Sequence, residues 1–78
     1  MRNIVGSRVK EARQRLNPPL TQSGLAAKLQ MEDWVITRVG IAKIESGYRQ
    51  VIDIEIVILA KVLGVKVSWL LGDIDLKK

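Results

Sequence analysis

The stretch TRVGIAKIESG, residues 37–47, carries the signals that begin and end a short helix. Thr37 is a residue type whose side chain caps a helix N-terminus, and Gly47 is the type that most often ends a helix. Only Ile41 and Ile44 have the spacing of a buried stripe. A helix with so narrow an apolar stripe keeps most of its surface outside the core, which raises the question of what that surface meets.

Two further features of this helix are not explained by its own stability. Gly40 lies one turn from the start, where glycine costs about 1 kcal/mol relative to alanine. The helix also presents a mixed set of side chains to the outside. These are Arg38, Val39, Ala42 and Lys43. Both features indicate that the outer face of the helix has a role beyond folding.

The bulk composition restricts the class of protein. The chain has 78 residues, enough for one small domain, and 47% of them are apolar, so it can fold without metals or disulfides. The absence of cysteine and histidine excludes disulfide scaffolds, the common zinc sites, cysteine nucleophiles and histidine acid–base chemistry. The apolar run Ile52–Leu59 is too short to span a bilayer, and residues 1–15 contain no signal-peptide core. We therefore expect a soluble cytoplasmic domain with no cofactor and no evident small-molecule ligand.

The net charge of +5 is unevenly placed. Residues 1–49 hold nine basic and four acidic residues, whereas residues 50–78 hold four of each. Such a surface fits a polyanion, although a basic face can also serve solubility alone. No segment combines a basic face with exposed aromatic residues, so a membrane-surface helix is not indicated. Nucleic acid is therefore the macromolecular partner that the charge favours.

Two helices are predicted before the opening stretch. The first ends where Asn17-Pro18-Pro19 excludes the helical conformation. Its apolar stripe is Val5, Val9, Ala12 and Leu16. The second, about residues 21–31, begins at a possible N-cap, Thr21. Its stripe is Leu25, Ala26 and Leu29. The third is the opening stretch itself, about residues 37–46, with Ile36 and Ile41 placed as a hydrophobic staple.

The segment from Val51 to Leu63 has two patterns. Residues 52–56 alternate like a strand, but a lone strand cannot satisfy its backbone and no partner strand is evident. The apolar residues of its second half recur at helical spacing, and Gly64 follows as a helix stop. We therefore predict a fourth helix there and a short fifth one over about Val67–Leu71. Residues 73–78 are expected to be a frayed tail.

Four segments, taken in order, resemble the lambda-repressor-like family of helix-turn-helix DNA-binding proteins, which includes Cro-type and XRE-type regulators. They are SRVKEAR in helix one, LTQSGLAAKL in helix two, IAKIESG at the end of helix three and LAKVLGVKVSWLLG at the close. Each segment alone is a weak signal, but the ordered set covers nearly the whole chain from Ile4 to Gly72. The resemblance implies an all-α, five-helix DNA-binding domain over residues 1–72, with helix three as the recognition helix.

The resemblance also implies which side chains meet DNA. The base-reading positions are Thr37, Arg38, Val39 and Lys43. Arginine can donate two hydrogen bonds to guanine, and valine can contact a thymine methyl group. The positions that contact the DNA backbone are Gln22, Ser46, Tyr48 and Arg49. Arg49 is the strongest candidate of these, and Tyr48 has packing as its alternative role. Gly40 would let the helix approach DNA closely or, alternatively, avoid a clash with helix two.

One acidic residue needs a partner. Glu45 lies in the last turn of helix three, where a negative charge is unfavourable both for the helix dipole and beside a polyanion. In the family this glutamate pairs with an arginine of helix one, and Arg13 is the matching position. We therefore expect a buried Arg13–Glu45 ion pair that joins helix one to helix three.

The sequence departs from the family pattern at two places. The family usually joins helix two to helix three by a very short turn, but here residues 30–36 lie between them. Either helix two continues through Met31, or a longer loop containing Trp34 packs beside helix three. In addition, Ile52 occupies a position where the family often has a capping serine or threonine, so we expect a poorly capped fourth helix.

The function predicted from these observations is sequence-specific binding of double-stranded DNA by a transcriptional regulator that acts as a repressor. The resemblance implies a bacterial or phage origin. The alternative is a protein-interaction module, such as the antitoxin half of a toxin–antitoxin pair. An enzyme is not expected, because the eight carboxylates are scattered and no nucleophile–base pair is visible.

A homodimer on DNA is expected as well, since one recognition helix covers only a few base pairs. The family dimerises through its C-terminal region, here the stretch from the end of helix four through Val67, Ser68 and the tail. Helix four also carries a second apolar stripe, Ile54, Ile58 and Val62. Either a second subunit covers that stripe, or the long connection after helix two does so through Met31 or Trp34.

Overall fold

The computed structural model describes residues 4–72, and within that range it contains five α-helices and no strand. In chain order the helices are α1 (Ile4–Arg15), α2 (Gln22–Gln30), α3 (Arg38–Ser46), α4 (Asp53–Leu63) and α5 (Val67–Leu70). The all-α prediction is therefore confirmed, including the choice of helix over strand for α4. The tail predicted to fray, residues 73–78, lies outside the described residues.

The apolar stripes predicted from helical spacing meet in one core. Each helix contributes to it, and Leu25, Leu29, Ile41, Ile44 and Leu59 are fully buried. The most extensive contacts join α3 to α1 and to α2. The recognition helix predicted from the sequence is thus held from two sides, which fixes the direction of its remaining, exposed face.

Carboxylates in the first turn of α4 accept hydrogen bonds from the backbone N–H groups at its start. Ile52, at the N-cap, has no side chain that can accept a hydrogen bond, as expected. Glu55, three residues later, instead accepts a hydrogen bond from the backbone N–H of Ile52 at 3.1 Å. The Asp53 carboxylate accepts another from the N–H of Ile54 at 2.7 Å. One half of a capping box is therefore enough to begin this helix.

The long connection between α2 and α3 is a loop, so the extension of helix two is wrong. The backbone N–H groups of Glu32 and Trp34 both donate to the carbonyl of Leu29, which closes the loop tightly onto the end of α2. Asp33 adopts a left-handed conformation with φ of 65°. Trp34 is half-buried and packs against the core. The extra residues thus form a loop with a defined backbone conformation, and the Trp34 indole ring anchors it to the core.

The second apolar stripe of α4 is divided in two. Ile58 and Val62 are half-buried against the core. Ile54 remains 57% exposed. The loop from α2 reaches the C-terminal part of α4, where Glu32 Oε1 accepts a hydrogen bond from Lys61 Nζ at 2.9 Å, but Met31 is 84% exposed. Within the described residues, the N-terminal end of this stripe, at Ile54, is therefore left exposed.

Candidate nucleic-acid interface

Both ends of α3 are closed as its sequence predicts. At the start, Thr37 Oγ1 accepts a hydrogen bond from the backbone N–H of Gly40 at 3.2 Å. At the end, Gly47 takes the left-handed conformation with φ of 89°, and its N–H donates to the carbonyl of Ile44. These caps satisfy backbone groups that the helix itself leaves open. The helix is therefore well defined although it has only nine residues.

The outward face of α3 brings the predicted base-reading residues together. Ile41 and Ile44 are its buried residues, and their side of the helix faces the core. Arg38, Val39 and Lys43 are exposed, as is the capping residue Thr37. Val39 keeps 51% of its surface in contact with solvent although it is apolar. The result is a short, rigid face that offers two cations, one threonine and one aliphatic side chain.

Gly40 makes room for a residue of the preceding loop. A Cβ atom at this position would lie 2.6 Å from Cγ1 of Ile36 and 3.0 Å from its Cδ1. The nearest atoms come from Ile36 and Thr37 rather than from α2, so the expected clash with helix two is not the reason for the glycine. The half-buried Ile36 side chain crosses this first turn instead. A closer approach to DNA remains a prediction.

Arg13 and Glu45 form the ion pair that joins α1 to α3. Arg13 Nε donates to Glu45 Oε2 at 2.8 Å, and Arg13 Nη2 donates to Glu45 Oε1 at 3.0 Å. The two side chains are only 9% and 5% exposed. Arg13 Nη1 donates to the carbonyl of Leu20, just before α2. This two-point geometry fixes the angle between α1, α3 and the start of α2.

Gln22, the first residue of α2, belongs to the same cluster. Its side-chain Nε2 donates to Glu45 Oε1 at 3.0 Å, and the residue is half-buried. The amide is therefore positioned by the ion pair rather than projecting freely into solvent. Thr21 caps α2 by accepting a hydrogen bond from the N–H of Gly24 at 2.9 Å. The expected phosphate contact would use the amide edge that the ion pair leaves open.

The last residue of α3 and the loop after it supply three candidate residues, which differ in their surroundings. Ser46 is exposed, and its Oγ donates to the carbonyl of Lys43 at 3.2 Å. Tyr48 is 88% exposed, so its alternative role as a packing residue is wrong. Arg49 is half-buried. Tyr48 is therefore available to a partner, whereas Ser46 and Arg49 already make hydrogen bonds within the chain.

Arg49 lies between the α2–α3 loop and the first turn of α4 and contacts both. Its Nη2 donates to Glu55 Oε2 at 3.0 Å, and its Nη1 donates to Glu55 Oε1 at 3.3 Å. The guanidinium also lies 5.7 Å from the centre of the Trp34 ring. Arg49 thus joins the α2–α3 loop to the start of α4. Glu55 offsets its charge, so the residue contributes less to a DNA-binding field than the sequence indicated.

The pKa of Glu55 is lower than its ordinary value near 4.5. Burial alone would raise the pKa, but the hydrogen bonds from Arg49 and from the N–H of Ile52, with the positive charge of Arg49, lower it by more. Sequence reasoning missed this carboxylate. The sequence does contain a signal for it, because Glu55 lies three residues after the N-cap position, which is the spacing of a capping box.

Replacing Glu55 with glutamine gives a pH-dependent prediction. We expect Glu55→Gln to reduce the free energy of unfolding by about 1 kcal/mol at neutral pH, because the charged hydrogen bonds to Arg49 are lost. The carboxylate's contribution is complete above the unfolded pKa near 4.5 and is lost as the pH falls through the lower folded value. Urea unfolding between pH 7 and pH 2 should show the two proteins converging in acid.

Asp53→Asn is the matched control for that experiment. Asp53 also lies in the first turn of α4, but it is exposed, and no hydrogen bond or ion pair to an arginine is among its contacts within residues 4–72. A difference between wild type and Glu55→Gln that stays constant from pH 7 to pH 2 would contradict the assigned direction of the pKa shift.

Comparison with known proteins supports the same interpretation. A helix-turn-helix family model matches residues 9–70, which is most of the chain. Neither the curated proteins nor the solved structures gave a match. Within residues 4–72 no helix has the length and apolar character needed to cross a membrane. The matched span includes α2, α3 and the capped recognition face described above, and the chain therefore belongs to the lambda-repressor-like, XRE-type helix-turn-helix family of DNA-binding regulators.

Proposed function

We propose that this protein is a transcriptional regulator that binds a specific double-stranded DNA site and acts by occupying its operator, most simply as a repressor. The observation that carries the proposal is the exposed face of α3. Arg38, Val39 and Lys43 project from a helix whose two ends are capped and whose other side is buried. Such a rigid, cationic helix fits the major groove, where base pairs are distinguishable.

The base-reading roles follow from side-chain chemistry and position. Arg38, in the first turn of α3, carries five donors in a planar fork that matches guanine O6 and N7. Val39 offers methyl groups to the C5-methyl of thymine. Thr37 remains exposed beside them while its Oγ1 caps the helix. Lys43, one turn and a half further on, supplies a second donor or a phosphate contact.

The backbone-contact roles are divided between the start of α2 and the segment from the end of α3 into the following loop. Gln22 lies at the N-terminus of α2, where open backbone N–H groups and the helix dipole favour a phosphate. Ser46, the last residue of α3, and Tyr48, in the loop after it, both have exposed hydroxyl side chains. Arg49 contributes through its partly exposed guanidinium, with 38% of the side chain accessible, while Glu55 holds it in place. These contacts would orient α3 in the groove without specifying sequence.

Replacing Arg38 tests base readout directly. We expect Arg38→Ala to weaken binding to the preferred site by about 1–3 kcal/mol and to relax the preference at one base pair. The preferred site would be obtained by selecting bound sequences from a random DNA library. Binding of wild type and variant is then measured by fluorescence anisotropy on that site, on its single-base variants and on scrambled DNA.

Arg15→Ala is the matched control. It removes the same side chain and charge from α1, where Arg15 is exposed and pairs with Glu11 at 3.4 Å. We expect this variant to change affinity for all sequences by a similar, small factor. If Arg38→Ala lowered affinity equally on selected and scrambled DNA, α3 would not be the reading element.

Two protomers on one operator are part of the proposal. One recognition helix contacts only a few base pairs, so two half-sites about 34 Å apart, one turn of the duplex, would give useful specificity. A cytoplasmic location follows from the same proposal, since the operator lies there in a bacterial cell.

A second candidate function is supported by one observation. Met31 and Val35, in the long α2–α3 loop, are 84% and 80% exposed although they are large and apolar. Such residues favour a protein partner, as in the antitoxin half of a toxin–antitoxin pair. Selection from random DNA discriminates the two, because a protein-interaction module that does not recognise DNA sequence would enrich no motif.

A further inference from the structure

The outer face of α4 has an ordered arrangement of charge and apolar surface. Its exposed residues are Asp53, Ile54, Val57 and Lys61. They share one side of the helix because their spacing of three and four residues follows the helical repeat. Ile54 and Val57 are 57% and 51% exposed. The face therefore begins with an acid, continues with two β-branched apolar residues and ends with a base.

This arrangement is symmetric about Val57. Asp53 precedes Val57 by four residues and Lys61 follows it by four, so each charge lies about 6 Å along the axis from the central valine. When two such faces pack antiparallel with their valines opposed, each Asp53 lies beside the Lys61 of the second copy. Parallel packing would instead place like charges together. In the antiparallel arrangement the two helix dipoles also point in opposite directions, so each helix end lies beside an end of opposite partial charge.

We propose that the α4 face, defined as Asp53, Ile54, Val57 and Lys61, is the surface through which a second copy of this chain binds, in an antiparallel and two-fold symmetric pair. The inference rests on the proposed function, since operator DNA is what brings two copies together. A two-fold contact uses the same patch on both subunits and must be complementary to itself. The order of charges on α4 meets that requirement.

The surroundings of Lys61 are compatible with this contact. Its Nζ lies 2.9 Å from Glu32 Oε1, but 69% of its side chain remains exposed. Met31 lines a shallow groove together with Lys61 and Val62, and it adds a flexible apolar side chain at the edge of the face. The Lys61 ammonium gives one of its three N–H donors to Glu32, so it can also contact Asp53 of the second copy.

The size of the α4 face indicates a weak pair in the absence of DNA. A stable interface buries about 800 Å² on each partner. One side of an eleven-residue helix with a neighbouring methionine offers less than that. Two half-sites on one duplex raise the effective concentration of the second copy, so the contact appears as cooperative binding. A coupling of about 5–150-fold is typical of such linkage.

Charge reversal tests the antiparallel pairing. Asp53→Lys and Lys61→Glu each place like charges together at both symmetric contacts. A mixture of the two variants restores opposite charges at both contacts. We measure the affinity of each protein, and of the equimolar mixture, for the selected inverted repeat and for one half-site. The ratio of the two affinities cancels any direct effect of a new charge on DNA binding.

The expected result is a cooperativity ratio of about 5–150 for wild type, a ratio near one for each single variant, and recovery in the mixture. Glu32→Gln is the matched control, because it removes a carboxylate charge that competes for Lys61 within the chain and changes no residue of the α4 face, so its ratio should be no lower than that of wild type. A single variant with the wild-type ratio, or a mixture that recovers nothing, overturns the pairing.

Sedimentation equilibrium without DNA separates this inference from the proposed function. At about 1 mM protein, where a weak pair is populated, wild type and the mixture should associate, and each single variant should remain monomeric. Loss of binding to the half-site would count against operator recognition alone. Monomeric wild type together with a ratio near one on the inverted repeat would overturn the α4 contact alone.

Discussion

Arg13→Ala is expected to reduce the free energy of unfolding by about 3–5 kcal/mol, because it leaves the buried Glu45 carboxylate without its cation. Glu45 is only 5% exposed, and it accepts two hydrogen bonds from Arg13 and one from Gln22. After the substitution only the Gln22 amide would remain. Chemical unfolding in urea at pH 7 measures the change.

The same substitution should disturb DNA binding through geometry. The Arg13–Glu45 pair connects α1 to the last turn of α3 and, through the carbonyl of Leu20, to the start of α2. Without it, the angle between α2 and α3 is less well defined. We therefore expect weaker binding on every DNA sequence even at temperatures where the variant remains folded.

Arg15→Ala provides the matched control on the same helix. Arg15 pairs with Glu11, but the two side chains are 68% and 50% exposed. Exposed pairs of this kind contribute about 0.3–0.5 kcal/mol. If both variants lost the same small amount of stability, the Arg13–Glu45 pair would contribute no more than a surface pair does, and the structural role assigned to it would be refuted.

The parts that could be predicted from sequence are those set by local chemistry. Thr37 and Gly47 determine where α3 begins and ends, since capping depends on residues within one turn of each helix end. Ile41 and Ile44 determine which side of the helix is buried. Once these are fixed, Arg38 and Val39 must face outward. The candidate base-reading face therefore follows from eleven consecutive residues.

The Arg13–Glu45 pair required more than local chemistry. Its residues are 32 positions apart, and only the resemblance to a known family brought them together. Physical reasoning indicated that Glu45 needs a cationic partner. A negative charge is unfavourable at the C-terminal end of a helix, and more so where that helix is expected to meet DNA. Physical reasoning could not supply the partner, since α1 contains other arginines with similar helical spacing.

The α2–α3 loop shows what sequence could not settle. Two stabilising free energies decide whether α2 continues past Gln30. One comes from packing Trp34 against the core, and the other comes from adding a further turn to the helix. The loop prevails because Trp34 also stacks near Arg49, which in turn binds Glu55. These three residues come from three different segments. No local pattern predicts such a contact.

Gly6→Ala is expected to destabilise the fold severely. Gly6 lies in α1, and a Cβ atom there would be 2.1 Å from the carbonyl oxygen of Ile44 and 3.2 Å from that of Glu45. Both neighbours are backbone atoms of α3, so no side chain can rotate to make room. Overpacking costs about 1–3 kcal/mol in typical cores, and we expect about 3 kcal/mol or more here. Urea unfolding is again the measurement.

The direction of this effect is opposite to that of helix propensity. In an exposed helix, alanine is about 1 kcal/mol more favourable than glycine. At Gly6 the propensity gain is outweighed, because α1 and α3 approach each other at this point with only a hydrogen atom between their backbones. The substitution must push α3 outward and with it the last turn that carries Glu45. We therefore expect DNA binding to weaken together with stability.

Gly24→Ala separates steric crowding from propensity. Gly24 is also inside a helix, but a Cβ atom there would meet Cδ1 of Leu20 at 2.8 Å and Thr21 Oγ1 at 3.2 Å. The end of the Leu20 side chain can move, so crowding costs little and the propensity gain of about 1 kcal/mol is partly kept. We expect Gly24→Ala to change stability by less than about 1 kcal/mol in either direction. A Gly6→Ala protein as stable as Gly24→Ala would show that α1 and α3 are not in backbone contact, and the fixed placement of the recognition helix would then have to come from its side chains alone.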